Sequence, residues 1–221
     1  NFYFNMADAM KATIASMLKG IERYNPENLP TLIRYVETQV RENTYDLEAN
    51  QAVLKLYQFN PNTYNTRVTS QILLKALTNL PHTDFVLCKC LLAQEHLDDP
   101  EIQKIMYMAD LLEMCQFISF WEEINKSHEI IGEIKGFEDS IRKFICHVIN
   151  ITYQRIEKPV LAELLGGLDD RTLKLWINKY GWREEDSETI AVANQEENIK
   201  TKNITEKIDF ETVASIMAAC R

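Results

Sequence analysis

Glycine and proline are scarce, with 6 of each among 221 residues, about 5% together where average usage gives roughly 12%. Sandwiches and barrels of many short strands need those residues at most of their turns, and collagen-like or linker-like chains need far more, so these classes are excluded. No apolar run reaches 18 residues, and the start lacks the basic and apolar regions of a secretion signal. The chain therefore reads as neither membrane-spanning nor secreted. Cysteine is sparse and odd in number (Cys88, Cys90, Cys115, Cys146, Cys220), without the spacing of a disulfide framework, which points to a reducing compartment. Basic charge is short as well: 24 Lys and Arg face 33 Asp and Glu, a net of -9. That balance argues against wrapping duplex nucleic acid or coating an anionic membrane as the main task. Asn1 to Asn5 precede Met6, which reads as an initiator, and are set aside as a candidate cloning remnant.

What is present is hydrophobic: 46% of the residues are apolar and 10% aromatic. A chain of this length then buries about 70% of its unfolded surface, enough for one large core or two small ones. The few punctuating residues are also unevenly placed. Five of six prolines (Pro26, Pro30, Pro61, Pro81, Pro100) lie between Gly20 and Gly132, a stretch free of other glycines, while the remaining glycines and Pro159 fall from Gly132 onward. That shift predicts a domain boundary near residues 132 to 136, with a helical part over 6-133 and a mixed part over 134-219.

The first part carries apolar residues three and four apart, the mark of amphipathic helices. The stripes are Met10, Ile14, Met17, Leu18, Ile21; then Leu29, Leu32, Ile33, Val36, Val40; then Leu47, Ala49, Val53, Leu54, Tyr57; and Val68, Ile72, Leu73, Ala76, Leu77, Leu80. Phe85, Cys88, Leu91, Leu92, then Ile102, Ile105, Met106, Ala109, Leu112, and finally Phe117, Phe120, Trp121, Ile124 complete the series. Starts about 18 residues apart give a helix pair of about 36, the pitch of TPR-like or HEAT-like stacking, although no repeat consensus is present and an irregular bundle is the alternative.

The second part changes rhythm. Phe137, Ile141, Phe144, Ile145 and Val148 predict a helix; Ile151 to Ile156 a strand; Pro159 to Leu165 a short helix; and Gly166-Gly167-Leu168 a turn. Asp169 or Asp170 then caps a helix through Leu173, Trp176, Ile177 and Tyr180, ended by Gly181. Thr189 to Asn194 and Asn203 to Phe210 predict a hairpin before a last helix over 209-219. Helix, strand, helix, turn, helix, hairpin is the order of a winged helix.

No nucleotide-binding, nucleophile-elbow or zincin signature is present, and few glycines remain to gather backbone N–H groups around a phosphate or oxyanion, so the chain reads as non-catalytic. The best metal candidates are His82, Cys88, Cys90 and His96. On a helix, however, Cys88 and Cys90 point about 200° apart and cannot grip one ion. Cys146 and His147 likewise face different sides. Residues 142 to 183 carry a net +4 within the acidic chain, and Arg171, Lys174, Lys179 and Arg183 form a possible RNA-contacting edge. A charged outer face is also what any amphipathic helix shows. The last helix, with Val213, Ile216 and Met217, either packs within the chain or joins a subunit interface.

The blocks GIERYNPENLPTLIRYVETQ (Gly20 to Gln39), YDLEANQAVLKLYQFNP (Tyr45 to Pro61), ILLKALTNLPHTDF (Ile72 to Phe85), GFEDSIRKFICHV (Gly136 to Val148), NKYGW (Asn178 to Trp182) and EKIDFETVASIM (Glu206 to Met217) are similar to the k-subunit family of eukaryotic translation initiation factor three. The likeness runs from about Lys19 to Met217. The resemblance implies a PCI-type scaffold, HEAT-like repeats followed by a winged helix, without catalytic, cofactor or metal residues and without a small-molecule substrate. It implies a cytoplasmic subunit, with room for a nuclear pool, that pairs with subunit l and reaches the small ribosomal subunit, mRNA and initiator tRNA through the complex. The alternative is an independent RNA-binding helical protein using the basic winged-helix edge.

Overall fold

The computed structural model describes residues 6–186 and 188–192. Among them are twelve α-helices: α1 Met6–Met17, α2 Leu29–Glu42, α3 Leu47–Phe59, α4 Thr66–Leu77, α5 Asp84–Lys89, α6 Gln94–Leu97, α7 Pro100–Glu113, α8 Phe117–Lys126, α9 His128–Ile131, α10 Phe137–Thr152, α11 Lys158–Leu164 and α12 Asp170–Tyr180. Three short strands accompany them, β1 Arg155–Glu157, β2 Arg183–Glu184 and β3 Thr189–Ala191.

Local chemistry fixes the helix starts. Asp46 accepts a hydrogen bond from the Ala49 amide at 3.1 Å, Asn65 from Val68 at 3.2 Å and Asp99 from Glu101 at 2.9 Å, so each short side chain satisfies an amide that has no intrahelical partner. Pro30, Pro100 and Pro159 sit in first turns, where a missing N–H costs nothing. Between α2 and α3 a buried polar network fixes the pairing: Gln39 donates to the Asn50 carbonyl at 2.9 Å and accepts from the Asp46 amide at 2.8 Å.

Packing then follows a stacked pattern. α2 lies against α3 and α4, α4 against α5 and α7, and α7 against α8, so the long helices follow one another side by side. α4 is the hub: all ten residues from Val68 to Leu77 are buried, including Thr69 within the apolar stripe and Ser70, Gln71 and Lys75 on the polar side. Its stripe of Val68, Ile72, Leu73, Ala76 and Leu77 accounts for only half of that burial. Several predicted stripe members lie beyond their helices: Leu18 follows the end of α1 at Met17, and Leu91 and Leu92 follow the end of α5 at Lys89, half-buried in the turn there. Ile21 is 84% exposed on a 3-10 turn, Gly20–Tyr24, rather than in the α1 stripe, because α1 ends at Met17 and the helical phase is lost. Leu80 lies beyond the end of α4 in the following turn, half-buried.

The succession α10, β1, α11, α12, β2, β3 is that of a winged helix, with sheet order β1-β3-β2 and antiparallel pairing throughout. Ile156 pairs with Ile190 in the central register, and both are buried, so the sheet covers the helices with one face. Two expectations are corrected here. The strand predicted over 151 to 156 is mostly not one: α10 continues through Ile151 and Thr152, Tyr153 and Gln154 form the link, and the strand itself is Arg155–Glu157. β3 finds its hairpin partner upstream, in β2: the chain leaves the Gly181 cap in extended conformation, and a strand of two residues is too short to show alternation. The predicted strand over Asn203 to Phe210, the helix over 209-219 and its residues Val213, Ile216 and Met217 lie outside the described residues, as do Ala193 and Asn194 of the Thr189 to Asn194 run.

One hydrophobic core runs from Ile14 through Phe120, Phe137 and Leu161 to Val192, continuous across residues 132 to 136. No described helix is long and apolar enough to cross a membrane.

Candidate interaction surfaces

The outer face of α12 is the first surface. Asp169 caps the helix through the Arg171 amide at 3.2 Å, and hydrogen bonding from Thr172 holds its carboxyl below the usual range. Leu173, Trp176 and Ile177 face inward, leaving Arg171, Lys174, Leu175, Asn178 and Lys179 exposed. Arg183 is exposed on β2. The four basic residues of the predicted edge are therefore all at the surface, but they differ in their engagements. The Lys179 ammonium stands 4.5 Å from the Trp176 ring centre. Nearby cations are consumed: Arg155 pairs with Glu185 at 2.7 Å and Lys158 with Asp170 at 3.5 Å. Glu184, Glu185 and Asp186 follow Arg183 directly, and counting them lowers the local net charge from +4 to +1.

A second arrangement joins the helical stack to the winged helix. Trp121 of α8 donates from its indole N–H to the Leu164 carbonyl at 2.9 Å. Arg142 of α10 lies 4.9 Å from the Trp121 ring centre, donates to the Leu165 carbonyl at 3.0 Å and meets Glu138 at 2.9 Å. Gly166, with φ +92°, presses its backbone on the same ring, where an added Cβ would come within 2.9 Å of Trp121. The sequence reading placed Trp121 in a core stripe and Arg142 in a basic tally, and missed their meeting. A tryptophan and a Gly-Gly turn carry no pairing signal when 45 residues apart.

The third is a polar seam along α4. Arg67 meets Glu133 with both ends of its guanidinium fork, at 2.7 and 3.3 Å, and Gln71 donates to the same carboxylate at 3.1 Å. One turn on, Lys75 is only 1% exposed and its ammonium reaches Asn43 Oδ1 at 3.3 Å; burial lowers its pKa to about 8. Gly136, at φ +75°, leaves room for the Asn43 amide, which would lie 2.6 Å from a Cβ there. The Lys135 amide adds a bond to the Val40 carbonyl at 3.2 Å. Residues 133 to 136 are thus fastened to α2 and α4. The missed signal was the charge poverty of α4, whose only ionic residues are Arg67 and Lys75.

The cysteines and histidines are spread apart. Cys88 is buried and Cys90 exposed, His82 is at the surface, and the His96 ring stacks on Tyr64 with centres 3.4 Å apart. Cys146 is buried while His147 faces outward. Burial pushes the Cys88 and Cys146 thiols up to about 12, far from the thiolate form a nucleophile or ligand requires. Among the described residues no three His, Cys, Asp or Glu side chains are grouped to hold a metal ion.

Comparison with known proteins now decides the lineage. The profile described as the CSN8/PSMD8/EIF3K family matches residues 63–203. "Eukaryotic translation initiation factor 3 subunit K" of Xenopus tropicalis is 60% identical over 96% of this chain and 97% of its own length. The proteins of the same name from Homo sapiens and Bombyx mori are 59% and 61% identical, over 97% and 96% of this chain and 98% and 97% of theirs. The chain belongs to the CSN8/PSMD8/EIF3K family. The mostly helical fold with its small sheet is the PCI-like type of that family. The Trp121 to Gly166 joint, the winged helix and the Arg67 to Lys75 seam all fall within the residues matched to the family profile.

Proposed function

We propose that this chain is a non-catalytic subunit of eukaryotic translation initiation factor three, acting as a scaffold in the cytoplasm. The observation that carries the reading is identity near 60% to subunit K proteins over nearly the full length of both chains. Its internal support is a helical stack and a winged helix that share one core. The finer reading is a division of labour at about residues 133 and 134, with repeats over 6-133 and a winged-helix unit over 134-219. Subunit l is its neighbour, and contact with the small ribosomal subunit comes through the complex. The last helix, with Val213, Ile216 and Met217, is the proposed subunit-facing element. Co-sedimentation tests the assembly reading: the chain should travel with the other subunits through a sucrose gradient of cytoplasmic extract, and a chain that stayed at the top would end it.

Direct RNA contact is the second reading, favoured by the exposure of Arg171, Lys174, Lys179 and Arg183 on one helix and its adjoining strand. Charge reversal at Arg171 and Lys174 should weaken RNA binding and flatten its salt dependence. An unchanged salt slope would remove the reading.

A further inference from the structure

The polar seam of α4 opens into two clefts, of about 400 and 270 Å³, on either side of the Arg67, Gln71 and Glu133 cluster. Gln71 lines both and is 6% exposed; Ser70 lines the second and is 2% exposed. Each carries an oxygen without a hydrogen-bond partner among the described residues, Gln71 Oε1 and Ser70 Oγ. The Gln71 amide is oriented by its donation to Glu133, so its carbonyl is left as an open acceptor. A buried polar atom left unpaired is destabilising, and a donor that reaches it relieves that cost. Charge around the clefts points the same way: Glu37, Glu101, Glu129 and Glu133 face Arg41 and Arg67, a net of two negative charges.

We propose that these clefts receive a lysine- or arginine-bearing segment of a neighbouring protein subunit, its N–H groups meeting Gln71 Oε1 and Ser70 Oγ and its cations meeting Glu101 and Glu129. The proposal rests on the assembly reading above and names the surface that assembly uses. Nucleic acid does not suit the same clefts, because phosphates would approach four carboxylates.

The test uses the full chain and the initiation factor assembled without it. Carboxylate labelling with a carbodiimide and glycine ethyl ester should proceed more slowly at Glu37, Glu101 and Glu129 in the assembled factor than in the free chain. Without the added amine, the carbodiimide should couple Glu101 or Glu129 to a lysine of a neighbouring subunit. The triple variant Glu37→Lys, Glu101→Lys, Glu129→Lys, checked for a native melting transition, should bind the factor at least about tenfold more weakly, while Glu27→Lys with Glu122→Lys should stay within about twofold. Equal labelling in both states, or full binding by the triple variant, overturns the proposal while leaving the assembly reading intact. Protection that disappears after nuclease treatment assigns the clefts to RNA and also overturns it. A wild-type chain that fails to bind the factor sinks the assembly reading, and this proposal with it.

Discussion

Substituting Gly166 by alanine tests the joint between the helical stack and the winged helix. Gly166 has φ +92°, and a side chain held in left-handed backbone costs about 1–2 kcal/mol. The new methyl group would also lie 2.9 Å from Trp121 Cδ2, 3.1 Å from Cε2 and 3.2 Å from Cε3, inside the contact distance on every side of the ring junction. Trp121 has no easy retreat, since its indole N–H is committed to the Leu164 carbonyl and Arg142 covers its ring. Overpacking of this kind costs about 1–3 kcal/mol, so the two effects total roughly 2–5 kcal/mol. For a chain of this size each kcal/mol moves the midpoint by roughly 2–4 °C, and a central value near 3 kcal/mol lowers it by roughly 6–12 °C. Gly167→Ala is the matched control. Its φ of +70° carries the same kind of backbone cost, but nothing lies within 4 Å of an added Cβ. Calorimetry and urea titration of both variants should therefore place Gly166→Ala well below Gly167→Ala. Equal midpoints would refute the claim that the glycine is there for the ring.

Arg142→Ala removes the Leu165 bond, the Glu138 pair and the cover over Trp121, and should cost about 2–3 kcal/mol in urea titration, with Arg142→Lys restoring only part because an ammonium cannot reproduce the fork. Lys75→Met should raise stability near neutral pH by roughly 1–3 kcal/mol, since it removes a desolvated charge with a single neutral partner. The sign with pH follows: the folded value near 8 lies below the unfolded value of 10.5, so the unfolded state binds the extra proton between them and wild-type stability gains on the variant as pH rises from 8 to 10.5. A wild-type minus variant difference that stays flat over that window would refute the burial of the ammonium. Because one core spans residues 132 to 136, helical stack and winged helix should melt in one calorimetric transition, and two resolved transitions would refute a shared core.

Periodicity made most of the helical stack legible before any coordinates. α2 to α5, α7 and α8 start at Leu29, Leu47, Thr66, Asp84, Pro100 and Phe117, keeping the spacing of about 18 residues, because each apolar stripe is a local consequence of a helix facing a core. The winged helix was legible for a related reason: Asp169, Gly181 and Pro159 act within one turn of where they stand. What escaped was non-local. Ile21 continues the α1 period in sequence, yet the helix ends before it; a periodic pattern does not report where a helix stops. β2 is two residues long and exists only through its pairing with β3. The basic edge looked stronger in a window closed at Arg183 than in the fold, where Glu185 returns across the sheet to Arg155.

The polar side of α4 shows why such sites resist sequence reading and why they matter in a scaffold. A helix with Arg67, Ser70, Gln71 and Lys75 on one side ordinarily turns that side to water. Here Ser70, Gln71 and Lys75 are buried while Arg67 stays exposed at the rim, and three of these side chains hold neighbouring elements: Arg67 and Gln71 on Glu133, Lys75 on Asn43. An apolar seam of the same shape would serve the fold at least as well, since buried charge is at best a weak source of stability. Polar groups add direction instead. Glu133 is reached only in the register that satisfies both Arg67 and Gln71, so the segment leading into α10, and with it the winged helix, is set at one position on the stack. That registration demands no catalytic group, and it leaves Gln71 Oε1 and Ser70 Oγ without a hydrogen-bond partner among the described residues, beside the clefts.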